Sequence, residues 1–166
     1  MNPPNNLNIR KAFHPDALTI LVVEDHTLFS KEIKHALMQH NVVFAKSVEE
    51  GRKKYDENLP NLTFLDIDLP DGTGFEILDH IMSHEPDAYV AMLTGSKVED
   101  DVVVSHKKGA RGYIIKPFTK SKVDECVASY LRFRESQINM RITEAEKHRD
   151  ILILSSDMAV PPDGPE

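Results

Sequence analysis

The sequence contains no tryptophan and only one cysteine, Cys126. A single cysteine excludes an internal disulfide and a cluster of thiolate metal ligands, which is consistent with a reducing compartment. Long apolar runs are also missing, because the longest nearly aliphatic one, residues 18–23, is far shorter than the roughly 20 residues that cross a bilayer. Residues 1–18 lack the apolar core of a secretory signal. We therefore expect a cytoplasmic protein that does not enter a membrane.

An excess of positive charge is missing as well. The net charge of −7 at pH 7 argues against a broad nucleic-acid-binding face. Only 35 of the 166 residues follow Leu131, too few for a typical DNA-binding module, so we expect no DNA partner. The length and the hydrophobic content of 40% are typical of one soluble domain.

Five short apolar runs alternate with five helix-like segments between residues 19 and 131. This alternation predicts an α/β fold with a five-stranded parallel sheet, right-handed crossovers and helices on both faces. Ser47 and Glu50 have the spacing in which the two side chains each accept a free backbone N–H at a helix start. The predicted strands are "TILVV", "NVVFA", "LTFL", "YVAML" and residues 112–115.

The two ends of the chain differ from this central domain, residues 19–131. Residues 1–18 contain three prolines and four asparagines without periodicity, which predicts a flexible leader. The last helix begins near Thr119, and its apolar spacing extends past the domain, so residues 132–154 are predicted to be a helical extension. The polar, proline-containing residues 155–166 are predicted to form a disordered tail.

Polar side chains follow four of the five predicted strands. Ligands bind beyond the carboxyl ends of the strands in an open parallel sheet. In the flavodoxin-like, doubly wound order 2-1-3-4-5, these four ends are neighbours in space, whereas the end of strand 2 at the sheet edge carries no comparable group. We therefore expect one site formed by Glu24, Asp25, Asp66, Thr94 and Lys116.

The residue types of this site suit phosphoryl transfer. Three carboxylates this close cannot all stay ionised without a counter-charge, and Mg²⁺ supplies one while preferring oxygen ligands. The Thr94 hydroxyl and the Lys116 ammonium suit the oxygens of an incoming phosphoryl group. Asp66 is then the nucleophile, which accepts phosphate as an acyl phosphate.

From about residue 19 to 131 the sequence resembles the response-regulator receiver domains of two-component signalling, in particular those of chemotaxis type. The matching stretches are "VVEDH", "LDIDLPDGTG", "MLTG" and "GYIIKPF". Each stretch is weak evidence alone, but their order and their places at strand ends are specific. The resemblance spans roughly two-thirds of the chain.

The resemblance implies a role for each residue of the site. Asp66 is the phosphorylation site, Thr94 and Lys116 contact the phosphoryl group, and Tyr113 reorients with Thr94 on activation. The implied Mg²⁺ ligands are Glu24, Asp25, Asp66 and the backbone carbonyl of Asp68.

The resemblance also implies a signalling switch rather than an enzyme, since such a domain catalyses only its own phosphorylation and dephosphorylation. The implied phosphoryl donor is a histidine kinase or a phosphotransfer protein. With no DNA-binding module or membrane segment expected, the output is predicted to pass through contacts with a downstream protein.

An enzyme is the alternative. "Asp-Ile-Asp" after an apolar strand, with a later threonine and lysine, is similar to the pattern of haloacid-dehalogenase-type phosphatases, in which Asp66 would be the nucleophile. Those enzymes hold Mg²⁺ with an acidic pair downstream of the lysine. Here Asp124 and Glu125 fall in a predicted helix, and the acidic pair lies upstream at Glu24 and Asp25.

The extension of the last helix carries a weak heptad pattern. Ile142 lies on the same stripe as the heptad positions, while Glu135 and Arg149 occupy the other core positions of that register. A solvated single helix needs no such stripe, so residues 131–152 are predicted to pair with a second copy, as a homodimer, or with a partner helix. The residues repeating every seven positions are Leu131, Ile138, Ala145 and Leu152.

Overall fold

The computed structural model of the protein describes residues 17–95 and 99–157. The predicted leader, residues 1–18, and the predicted tail, residues 155–166, therefore lie outside the described residues except at their inner ends. The described residues fall into two compact units that divide between Ala128 and Ser129. Among these residues, no helix combines the length and the apolar character needed to cross a lipid bilayer.

Helices and strands alternate along the first unit as the apolar pattern predicts. A short antiparallel hairpin, Asp68–Leu69 paired with Gly72–Thr73, follows the third strand. The main elements are β1 (Thr19–Val23), α1 (Thr27–Ala36), β2 (Asn41–Ala45), α2 (Val48–Asn58), β3 (Leu62–Asp66), α3 (Gly74–His84), β4 (Val90–Thr94), α4 (Glu99–Lys107), β5 (Gly112–Ile115) and α5 (Lys120–Asp157).

The five main strands form one parallel sheet in the order β2-β1-β3-β4-β5. The predicted α/β class, the five parallel strands and their order are therefore confirmed. Among the described residues, β2 and β5 are the edge strands, and β1, β3 and β4 form the centre of the sheet.

Burial explains why the strand sequences read as continuous apolar runs. Leu21, Val23 and Leu65 belong to a buried cluster that includes side chains of α2 and α3. The alternate residues Ile20 and Val22 are fully buried as well. A strand buried on both faces favours β-branched and aliphatic residues at every position rather than at every second one.

The start of α2 is fixed by three side chains. The Ser47 hydroxyl accepts the Glu50 N–H at 3.1 Å, as predicted, but the Glu50 carboxylate accepts the N–H of Lys46 rather than that of Ser47.

Asp71, from the hairpin after β3, accepts the N–H groups of Val48 at 2.7 Å and Glu49 at 3.2 Å. These bonds, that of Val48 first, hold the pKa of Asp71 below its ordinary value. The hairpin after β3 is thereby connected to the start of α2.

The last helix, α5, is 38 residues long and ends at Asp157, three residues beyond its predicted end at residue 154. From residue 131 onward it carries several exposed apolar side chains, and the side chains after Ile151 lie outside the described set. The exposed residues are Leu131, Ile138, Met140, Ile142 and Ile151.

Gly74 is required where α3 begins against the end of β3. A Cβ at position 74 would lie 2.1 Å from the Asp66 carbonyl oxygen, and the Gly74 N–H donates to the Ile67 carbonyl at 2.9 Å, which holds the helix start in place. We expect Gly74→Ala to lower the free energy of unfolding in urea by about 2 kcal/mol or more, because the overpacked backbone must move.

Gly95→Ala is the matched control, because a Cβ there meets no atom within 4 Å. Its free energy of unfolding should stay within about 0.5 kcal/mol of the wild type. Equal stability of the two variants would contradict the steric role of Gly74.

Candidate functional site

The register of the sheet brings four strand ends together at its carboxyl edge. Val23 pairs with Leu65, so Glu24 and Asp66 follow neighbouring positions of β1 and β3. Thr94 pairs with Ile115, which places Lys116 directly after the last pair of β4 and β5. The polar residues predicted from separate parts of the sequence are therefore adjacent in space.

Three carboxylates form the acidic part of the site. Glu24, Asp25 and Asp66 each offer an oxygen, and these oxygens lie within 4.8 Å of one another. Glu24 and Asp66 are buried, whereas Asp25 is exposed to solvent. An all-oxygen set of this size and charge fits a hard divalent cation such as Mg²⁺, which keeps several waters beside one to three protein ligands.

Lys116 joins two of these carboxylates. Its Nζ lies 2.5 Å from Glu24 Oε2 and 2.6 Å from Asp66 Oδ2, and its side chain is only 8% exposed. The Lys116 N–H donates to the Thr94 carbonyl at 2.7 Å, which fixes the start of the side chain next to β4. The lysine is therefore a buried counter-charge within the site.

The pKa of the Glu24 carboxyl is raised by its surroundings. Burial raises its pKa above the ordinary glutamate value, and the charge of Asp66 acts in the same direction. The ammonium of Lys116 and the N–H of His26, which donates to Glu24 Oε1 at 2.9 Å, oppose the shift without cancelling it. An ionised Glu24 is therefore destabilising in the folded protein unless further positive charge is bound.

The remaining predicted residues surround this centre. Thr94 is buried at the end of β4. Tyr113, in β5, is half-buried and packs against the core cluster. Asp68 is exposed in the hairpin, and its N–H donates to Asp66 Oδ1 at 3.3 Å. Asp66 is thus oriented by one backbone donor and one ammonium.

Two residues near the site were not predicted from the sequence. Phe29, in the first turn of α1, places its ring centroid 4.8 Å from Lys116 Nζ. Asp71 connects the hairpin to α2, as described above. In the sequence, Phe29 could have been identified as an aromatic residue one helical turn after an acidic strand end. Asp71 could have been identified as the third acidic residue of the "DIDLPD" stretch.

Residues 20–128 match the family model of the response regulator receiver domain. The chain is 34% identical over 113 residues to the chemotaxis protein CheY of Listeria monocytogenes, covering 66% of this chain and 95% of that protein. It is 29% identical over 150 residues to the sensory transduction protein LytT of Bacillus anthracis, covering 87% of this chain and 58% of that protein.

Solved structures agree with these sequence relatives. A CheY-like response regulator receiver domain protein from Methanospirillum hungatei is similar with a TM-score of 0.69 and 30% identity, covering 74% of this chain and 99% of that chain. A chain of the CheX-CheY-BeF3-Mg complex of Borrelia burgdorferi is similar with a TM-score of 0.65 and 28% identity, covering 68% of this chain and 88% of the matched chain.

The raised pKa of Glu24 predicts a specific pH dependence of stability. A carboxyl whose pKa is raised on folding favours the folded state most below its unfolded pKa, about 4.3, and loses that contribution as pH rises through the folded value. Glu24→Gln removes the charge, so we expect it to be more stable than the wild type by about 1 kcal/mol at pH 7 in EDTA. The advantage should shrink on acidification and on addition of Mg²⁺.

Urea unfolding between pH 4 and 8 measures this difference, with Glu32→Gln, an exposed position on α1, as the control. The control should match the wild type at every pH. A Glu24→Gln variant less stable than the wild type at pH 7 in EDTA would mean that the Lys116 pairing outweighs the effect of burial.

Proposed function

The chain belongs to the response regulator receiver domain family, whose members are signalling switches controlled by phosphorylation, and we propose that Asp66 is its phosphoryl acceptor. The observation that carries the proposal is the contact of Asp66 Oδ2 with the buried Lys116 ammonium at 2.6 Å, beside two further carboxylates. A nucleophilic carboxylate with a fixed cation next to it is suited to receive a group that brings more negative charge.

In the proposed reaction, an Asp66 carboxylate oxygen attacks the phosphorus of a phosphohistidine on a histidine kinase or phosphotransfer protein. The oxygen–phosphorus bond forms as the phosphorus–nitrogen bond breaks, and the departing imidazole nitrogen keeps the electron pair and takes a proton from water. Later attack of water on phosphorus breaks the new bond and returns the Asp66 carboxylate and inorganic phosphate. The chain therefore acts only on its own phosphorylation state.

The residues around Asp66 stabilise the charge of this step. The Lys116 ammonium and the Thr94 hydroxyl would donate to phosphoryl oxygens, which carry the charge of the transition state. Mg²⁺ would be held by the carboxylates and by the Asp68 backbone carbonyl, and it supplies charge neutralisation and alignment when bound. The carboxylate ligands are Glu24, Asp25 and Asp66.

The phosphatase alternative receives no support from the acidic pair that follows Lys116. Asp124 pairs with Lys120 at 2.6 Å and Glu125 pairs with Lys122 at 2.7 Å, both on the exposed surface of α5. These carboxylates have their own counter-charges in the first turns of a helix. We therefore assign the Mg²⁺ ligands to the upstream acidic residues.

We also propose the arrangement of the helices around the sheet and the cellular location of the protein. The helices are proposed to cover both faces of the sheet in the doubly wound, flavodoxin-like arrangement, and burial of both sets of alternating side chains in β1 supports this. The proposed location is the cytoplasm, where histidine kinases receive their phosphoryl groups from ATP.

The signal is proposed to leave the site through Thr94 and Tyr113. The Thr94 hydroxyl would move toward a phosphoryl oxygen, and the half-buried Tyr113 in the neighbouring strand would follow. Exposed valines on α4, residues 102–104, are an apolar surface for a downstream protein near this path.

Residues 131–152 of α5 are proposed to pair with a second copy of the chain. Leu131, Ile138 and Ile142 are 46–51% exposed and recur at positions that a heptad stripe requires. Glu135 and Arg149 lie seven residues on either side of Ile142. An antiparallel pair centred on Ile142 would bring each Glu135 near the Arg149 of its partner, which supports a homodimer.

Asp66→Asn should abolish phosphorylation. The amide keeps the size of the side chain but is not a nucleophile toward phosphorus, so incubation with acetyl phosphate and Mg²⁺ should add no phosphoryl group. Asp68→Asn is the control, because only the backbone carbonyl of Asp68 is assigned a role, and it should accept one phosphoryl group like the wild type. Intact-mass spectrometry measures both, and a phosphorylated Asp66→Asn variant would refute the assignment.

Fluoroberyllate with Mg²⁺, as an analogue of the phosphoryl group, should change hydrogen exchange at residues 101–115 in the wild type. The same exchange should stay constant in Asp66→Asn, because the analogue needs the Asp66 oxygen. Identical exchange with and without the analogue in the wild type would exclude a signal path through Tyr113.

Sedimentation of substituted full-length chains tests the pairing of α5. Charges placed on the stripe by Ile138→Glu together with Ile142→Glu should convert a dimer into a monomer, because they oppose burial of that face. Met140→Glu is the control, since Met140 is 56% exposed but lies off the stripe, and it should remain dimeric. A monomeric wild type, with and without fluoroberyllate, would rule out self-association.

A further inference from the structure

The ammonium of Lys116 is enclosed from three directions. Two are the carboxylates of Glu24 and Asp66, at 2.5 and 2.6 Å. The third is the ring of Phe29, whose centroid lies 4.8 Å from Lys116 Nζ. Because the lysine side chain is only 8% exposed, these three groups take the place of most of its hydration.

Phe29 is itself held by two other rings. Its centroid lies 5.8 Å from that of Phe118, which is buried just after Lys116 in sequence. The centroid of the His26 ring lies 5.1 Å from that of Phe29, and the backbone N–H of His26 donates to Glu24 Oε1. The Phe29 ring is therefore packed against one ring that is buried and against a second whose own backbone is hydrogen-bonded to Glu24.

An aromatic ring in this position differs from an aliphatic side chain of similar size. The negative face of the ring attracts a nearby cation, most strongly where water is excluded. A lysine side chain also has several rotatable bonds, and holding its ammonium at one point costs conformational entropy. A ring that attracts the ammonium offsets part of this entropy while leaving both carboxylate contacts intact.

We propose that Phe29 is a positioning residue for Lys116: it holds the ammonium at the point where a phosphoryl group on Asp66 would meet it. The effect on phosphorylation rests on the proposed role of Asp66. The positioning of Lys116 does not, because the contact between Phe29 and Lys116 is present in the unphosphorylated protein. The two parts can therefore be tested separately.

Phe29→Leu removes the π system but keeps most of the apolar volume, whereas Phe29→Tyr keeps the ring. Leu28→Ala is the control, because Leu28 is the adjacent α1 residue and is 56% exposed. The first measurement is the rate at which acetic anhydride acetylates Lys116, followed by peptide mass spectrometry. Lys53, whose side chain is 71% exposed, is the internal reference.

The second measurement is the rate of phosphorylation by acetyl phosphate at saturating Mg²⁺. In Phe29→Leu we expect acetylation of Lys116 relative to Lys53 to rise about three- to tenfold, and phosphorylation to slow by a similar factor, as loss of a partly desolvated cation–π contact predicts. Phe29→Tyr and Leu28→Ala should stay within about twofold of the wild type in both measurements.

Wild-type acetylation of Lys116 in Phe29→Leu would overturn the positioning role. Equal impairment of Phe29→Tyr and Phe29→Leu would overturn the role of the ring. If the wild type accepts no phosphoryl group from acetyl phosphate, the proposed function fails, and the acetylation rates still decide whether Phe29 positions Lys116.

Discussion

The ion pair of Lys116 with two buried carboxylates is the interaction on which the site depends. Glu24 and Asp66 are carried by neighbouring parallel strands, so the sheet itself forces two negative charges together. Without a counter-charge, one of them would have to be protonated. The lysine, placed by the end of β5, keeps a cation next to Asp66 and Glu24. Burial nevertheless raises the pKa of Glu24.

The site carries more negative than positive charge, so it can bind a further cation. One ammonium faces three carboxylates, and the exposed Asp25 gives the cluster a side open to solvent. A bound divalent cation would relieve the repulsion, and a phosphoryl group on Asp66 would restore negative charge beside it. The same electrostatic imbalance that makes Glu24 unfavourable in the folded protein is thus the physical basis for linking metal binding and phosphorylation in the proposed function.

Steric contact and hydrogen bonds also hold the backbone around Asp66 in place. The carbonyl of Asp66 lies directly against the first residue of α3, where only glycine fits, and the hairpin that follows is tied to α2 through Asp71. The Phe29 ring of α1 lies over the Lys116 ammonium and packs against the rings of His26 and Phe118. The Asp66 carboxylate therefore lies at a strand end that is held by elements distant in sequence.

The sequence by itself determined the element types, the sheet order and the residues of the candidate site. Periodicity and turn residues act locally, and the carboxyl ends of parallel strands always meet at one edge, so Glu24, Asp66, Thr94 and Lys116 could be grouped without a structure. Their chemical roles stay predictions. Tertiary structure alone decided which charges pair, that Glu24 is shielded from water and has a raised pKa, and that Asp71 accepts from α2. It also brought the Phe29 ring to Lys116. These contacts depend on side-chain directions and on packing between distant segments, which no local pattern of residues encodes.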